Sequence, residues 1–167
     1  MYGTPPAAEL ACSAETDADG SRWLRCGERF DVLRVPEPAG RWALRRLIGY
    51  DQPALRPGPV GWDPGPPPTP AADPADEPGQ AWPAAYLFFV APGAKEDLPE
   101  LLEWLDWGGI DLELRAYGEG ERIPEPNRWL HDPNAPAPEV VALLATIAQC
   151  CSRRLLRQAV PGPRRDS

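Results

Sequence analysis

Lysine and histidine are nearly missing from this 167-residue chain: Lys95 and His131 stand alone, and there are only four serines, Ser13, Ser21, Ser152 and Ser167. A single histidine has no second imidazole with which to share a metal, and Cys12, Cys26, Cys150 and Cys151 form no C-x-x-C pair, so the pattern argues against a zinc site. The four cysteines read instead as buried or half-buried thiols. None of the serines lies in the motif context that a nucleophile needs. There is also no Walker A loop and no G-x-G-x-x-G after a strand, which sets aside hydrolase and P-loop chemistry. Gly118-Glu119-Gly120-Glu121 is glycine-rich, but its carboxylates would repel a phosphate, so a turn is expected there. His131, beside Asp132-Pro133, reads as a surface histidine in a loop. The longest apolar run, Ala84 to Ala91, is about eight residues, against the roughly 20 of a membrane helix. The N-terminus Met-Tyr-Gly-Thr-Pro-Pro shows neither the basic nor the apolar region of a secretory signal. A cytoplasmic location with no membrane partner is the expectation.

What the chain has in excess is proline, 24 residues, beside 15 glycines and seven tryptophans. Hydrophobic residues at 43% are enough for a core, and the length suits one domain, since a core of useful size takes roughly 100 to 150 residues. Seventeen basic against 25 acidic residues give a net charge of −8. Such a surface repels polyphosphate at long range and disfavours a sequence-independent coat on nucleic acid. Six of the arginines lie at position 128 and beyond, so the total leaves room for a local basic cleft.

Patterning along the chain predicts an α+β fold: a small mixed or antiparallel sheet with helices packed on one face. Residues 1–20 lack periodicity and read as a flexible N-terminal arm. A strand is expected near 29–35, ending at Pro36, and a short helix over 40–48 with Trp42, Leu44 and Leu47 among arginines. From about 61 to 80 the composition is proline-rich and acidic and buries almost nothing, so an extended insertion is expected. The apolar run 85–91 fits a strand buried on both faces at the sheet centre. Asp97 and Glu100 have capping-box spacing and predict a helix over 97–107 with Leu98, Leu101, Leu102 and Leu105 on one side. Residues 110–117 alternate strictly and predict a strand with one wet side. A helix over 138–158 carries Val140, Val141, Leu144, Ile147, Cys151 and Leu155 along one stripe. Its terminal Arg153, Arg154 and Arg157 suit the helix dipole, or with Arg164 and Arg165 in the flexible basic tail 159–167 would contact phosphate. The domain proper therefore spans residues 21–158.

Read in order, several of these pieces resemble the N-terminal domain of the bifunctional DNA primase/polymerase family, of the archaeo-eukaryotic primase type. They are the strand Gly27-Glu28-Arg29-Phe30-Asp31-Val32-Leu33-Arg34-Val35-Pro36, the aromatic strand Tyr86-Leu87-Phe88-Phe89-Val90-Ala91-Pro92, and the element Gly109-Ile110-Asp111-Leu112. Ile123-Pro124-Glu125-Pro126-Asn127 with Arg128-Trp129-Leu130 and Pro138-Glu139 completes the likeness, which covers roughly residues 21 to 147. The resemblance implies a two-metal nucleotidyltransferase ancestry, in which an Asp-x-Asp pair and a third Asp hold Mg or Mn and a His contacts phosphate.

Aligned on its strand, this chain has Arg34 and Pro36 where the carboxylate pair would sit, and Tyr86 near the expected His. Only Asp111 matches in type and context. Asp31 alternates to the side of Leu33 and Val35, opposite Arg34. A guanidinium about 4 Å from a divalent cation costs roughly 8 kcal/mol at an effective dielectric of about 20. The expectation is therefore a catalytically degenerate domain with no metal and no cofactor, divalent Mg or Mn entering only if the site is active. Asp111 is then the candidate catalytic residue, and Arg34, Tyr86 and Arg115 are candidate contacts to single-stranded nucleic acid or nucleotide. Two alternatives stay open: a protein-interaction or regulatory module with a protein partner, and an active primase with a shifted register.

Overall fold

In the computed structural model, which describes residues 13–52, 55–65, 84–126 and 128–159, the fold is α+β and is built around two strands buried along their whole length. These are β3 (Asp31–Pro36) and β5 (Ala85–Val90), whose twelve positions are all buried. They pair antiparallel at the centre of a five-stranded sheet ordered β6-β3-β5-β4-β8. The outer members are β4 (Val60–Asp63), β6 (Arg115–Tyr117) and β8 (Arg128–His131). The continuous apolar run of β5 suits such a strand because side chains alternate between two covered faces, whereas β3 carries Asp31 and Arg34 among its apolar residues,.

One face is covered by three helices, α1 (Ala39–Gly49), α2 (Ala94–Trp104) and α3 (Val140–Ala159). Leu33, Val35, Phe88 and Val90 meet Leu44, Leu47, Leu98, Leu143, Leu144 and Ile147 there in a single core. The other face carries Val32, Leu87 and Phe89, which pack with Phe30, Leu24 and Ile123. Leu24 and Ile123 come from a second antiparallel sheet, ordered β1-β2-β7, made of β1 (Ala14–Thr16), β2 (Arg22–Arg25) and β7 (Arg122–Pro124). Helices, large sheet and small sheet thus form three layers. Full burial of one Phe such as Phe88 is worth about 1.5–3 kcal/mol, so the adjacent pair Phe88 and Phe89, pointing to opposite layers, ties both cores to one strand.

The segment β3-α1-β4-β5-α2-β6 lays its four strands in the order β6-β3-β5-β4, the split βαβ arrangement. Gly40 lets α1 approach the sheet: a Cβ there would lie 2.6 Å from Tyr86 Cβ and 3.0 Å from the Val35 carbonyl. Helices α1 and α3 run antiparallel, since Arg46 donates to Gln149 while Trp42, one turn earlier, meets Arg153 and Arg157.

The expected elements differ from these in several places, and no strand was expected at β2 or β8. Residues 14–16, read as part of an arm, form β1 on the edge of the small sheet. Residues 61–63, read as the start of the insertion, belong to β4, with Gly61 close enough to Pro126 that a Cβ would meet its Cγ at 2.4 Å. The helix expected over 97–107 starts three residues earlier, at Ala94, because the cap is not Asp97. Gly93, at φ 95°, turns the chain, and the Asp31 carboxylate of β3 accepts the Lys95 N–H at 3.0 Å. The strand expected over 110–117 forms only at Arg115–Tyr117. Upstream, the Glu113 N–H donates to Asp111 Oδ1 at 2.9 Å and Glu113 has φ 60°, a local turn that competes with a ladder. The first 12 residues, positions 66–80 of the proline-rich insertion with the three that follow, and nearly all of the basic tail (160–167) lie outside the described residues.

Candidate functional site

Arg34 is one of two charged residues inside β3, the other being Asp31 on the opposite side of the strand. Arg34 alternates with Leu33 and Val35 and so points away from the helices, at only 7% exposure. Its Nη1 reaches past β5 to donate to Asp63 Oδ2 at 2.8 Å, and the second oxygen of Asp63 accepts the Gly65 N–H at 2.9 Å. Above this pair lies a recess of about 130 Å³ lined by Arg34, Asp63, Leu87, Tyr117, Arg122 and Pro124. Arg115 stands directly opposite Arg34 in the β3–β6 register, and its side chain is exposed on the same face. Arg122, at the recess wall, is held by Asp17 at 2.9 Å and lies 4.3 Å over the Trp23 ring. Three arginines therefore gather at one end of the helix-free face, each supplied by a different strand.

The remaining expected residues do not join them. Tyr86 is opposite Val35, not Arg34, and faces the helices. It is 8% exposed, edge-on to Trp62 with centroids 5.6 Å apart. Burial pushes its hydroxyl above the ordinary value, with Glu37 adding to the shift and Arg41, Arg128 and Arg45 opposing it. Asp111 is exposed and turned onto its own backbone at Glu113, and it does not line the recess. His131 is not a loop residue: it ends β8, half-buried, with Nδ1 3.0 Å from the Gly58 carbonyl oxygen.

The donor set does not fit the two-metal centre that the resemblance implies. The strand position that would carry a metal carboxylate holds the Arg34 guanidinium, already paired with Asp63. Among the described residues no three His, Cys, Asp or Glu side chains gather closely enough to hold a metal ion. Asp31, on the helix side, is buried and committed to the first turn of α2.

Sequence reasoning missed Asp63, because it lay in a stretch read as insertion, and Tyr117 and Arg122, whose relation to Arg34 is set by strand order. It also passed over a signal that was legible. Neither α1 nor α3 contains an acidic residue, while each contains three arginines.

Among the described residues no helix is long and apolar enough to cross a membrane. No family model, no curated protein and no solved structure matches the chain.

Proposed function

We propose that the chain is a catalytically degenerate DNA primase/polymerase-like domain that binds nucleotide phosphate without polymerising. The observation that carries this is Arg34: a nearly buried guanidinium, held by Asp63, beneath a recess on the helix-free face and opposite Arg115. A guanidinium presents a planar fork that matches phosphate oxygens. At about 130 Å³ the recess holds about four waters at ~30 Å³ each. That is room for a phosphoryl group, and well under the ~300 Å³ at which drug-sized pockets begin, so base and sugar would lie outside it over Tyr117 and Arg122. The split βαβ sheet and the order of the sequence pieces support the primase/polymerase side of the proposal as analogy, not as site chemistry.

The test is titration of a fluorescent nucleoside triphosphate at low and high salt. Binding that weakens with salt and with Arg34→Ala supports the proposal; no binding at low salt removes it. Template-directed primer synthesis with Mg or Mn that disappears in Asp111→Ala would show that the domain is a catalyst and not degenerate.

A further inference from the structure

The opposite layer of the molecule carries a second concentration of positive charge. Between Pro38 and Tyr50, and between Val140 and Ala159, there is no Asp or Glu, in a chain whose net charge is −8. Arg41, Arg45 and Arg46 of α1 and Arg153 and Arg157 of α3 are all exposed. Among the described residues none of the five has a carboxylate within 4.0 Å, the ion pairs falling instead on Arg22, Arg25, Arg34, Lys95, Arg122 and Arg154. The antiparallel packing of α1 and α3 brings the five arginines onto one surface. There the Arg153 and Arg157 guanidinium carbons lie 5.1 and 4.9 Å from the Trp42 ring centroid.

Fold stability accounts for only part of this set, through the contacts of Arg153 and Arg157 with Trp42 and of Arg46 with Gln149,. The helix dipole favours Arg153 and Arg157 near the end of α3, but it opposes Arg41 in the first turn of α1. The i,i+4 pairs Arg41/Arg45 and Arg153/Arg157 repel each other. The apolar residues Ala43, Leu44, Leu47, Leu143 and Ile147 of the same helices are buried in the core, while Ile48, Val141 and Leu156 are exposed; what the surface offers an anionic polymer is its planar cations and the half-buried Trp42. Forked guanidinium groups match phosphate oxygens, and guanidinium and indole planes stack on bases.

We propose that the α1–α3 face docks the phosphodiester backbone of single-stranded nucleic acid. The surface is separated from the Arg34 recess by the five-stranded sheet and does not rest on the function proposed for that recess. Five phosphate contacts at ~0.7 counterions each give a slope of about −3.5 in log affinity against log salt.

Fluorescence anisotropy with labelled oligodeoxythymidine of about 20 nucleotides, longer than the ~4–16 of a single-strand site, tests it on the full chain. The expected result is binding with a slope near −3.5, weakened about tenfold or more by Arg41→Glu with Arg45→Glu and Arg153→Glu. Arg29→Glu, an exposed change elsewhere, controls for net charge. Single changes such as Arg45→Glu, expected to reduce the slope by about 0.7, keep the test sound if the triple variant misfolds. Absence of oligonucleotide binding at low salt, binding indifferent to the triple variant, or stronger binding to poly-glutamate or to phosphatidylserine vesicles would overturn the proposal. Because nucleoside triphosphate reads the recess and the long oligonucleotide reads this face, failure of one leaves the other standing.

Discussion

Arg34 of β3 donates to Asp63 at the end of β4 at 2.8 Å, across the strand that separates them, and the arginine side chain is 8% exposed while the aspartate side chain is 29% exposed. Removing one partner of a buried pair costs about 3–5 kcal/mol. Because Asp63 is partly solvated, Asp63→Ala should cost less, about 2–3 kcal/mol. Replacing both partners, Arg34→Met with Asp63→Asn, should restore most of that loss, since it leaves no buried charge behind. Urea denaturation of the two variants and the parent chain measures this, and a double variant as unstable as Asp63→Ala would show that the pair is not the source of the cost.

Asp31 and Glu121 should give stability opposite dependences on pH. Burial holds the Asp31 carboxyl above its ordinary 3.8, the N–H groups of Lys95, Gly93 and Ala94 pulling down and Glu96 pushing up. The folded state then keeps a proton that the unfolded chain has released. Stability therefore falls as pH rises from 3.8 through the raised folded value,. Glu121 is held below its ordinary 4.5, chiefly by the Lys95 ammonium and further by the Gly118 N–H. Its contribution is present above 4.5 and is lost as pH falls through the depressed value,. Asp19, held low chiefly by the Ser21 N–H, keeps its own loss with acid in every variant, so the comparison is with the parent chain: Glu121→Gln should lose less stability than the parent as pH falls below 4.5, and Asp31→Asn less as pH rises from 3.8,. A Glu121→Gln curve that runs parallel to the parent's in this window would contradict the assignment.

Two glycines of α1 should respond in opposite directions to alanine. Within a helix, Gly→Ala ordinarily gains about 0.5–1 kcal/mol. At Gly49 nothing lies within 4 Å of the added Cβ, so a gain is expected there. At Gly40 the Cβ would lie 2.6 Å from Tyr86 Cβ and 2.8 Å from its Cγ, so α1 must move off the sheet, at about 1–3 kcal/mol. Thermal melts of the two variants should shift up and down respectively.

The buried thiols should be unreactive in the native state. Burial pushes Cys26 and Cys151 up to about 12 and raises Cys150, and at Cys26 the Asp31 and Glu121 carboxylates add to the effect. The thiolate is the reacting form. In a Cys12→Ser background, an aromatic disulfide reagent should therefore label less than one thiol per chain under native conditions at pH 8, and all three after denaturation,.

How much of this was legible follows from the range of each interaction. The β5 run and the α3 stripe are patterns of period two and about 3.6, and both formed within a residue or two of the expected bounds. The start of α2 was misplaced because its cap comes from Asp31, 64 residues away from Lys95, where local spacing pointed to Asp97. Residues 110–114 alternate as a strand should, yet the Asp111 turn and the ion pair of Glu113 with the buried Arg154 of α3 hold the stretch out of the ladder. Of the candidate site, Arg34 and Arg115 were chosen from sequence and do share a face. Tyr86 was placed beside Arg34 by likeness to a family, and strand alternation sends it to the other layer.

By itself the sequence determined the α+β class, the doubly buried run of β5 and the uneven distribution of its charge, because composition and periodicity are properties of neighbouring residues. The tertiary structure decided which charges meet: Arg34 with Asp63, Asp31 with the amides of α2, and the arginines of α1 with those of α3. Those encounters depend on strand order and helix packing, which join residues 29, 64 and about 100 positions apart. No local pattern in the chain encodes distances of that kind.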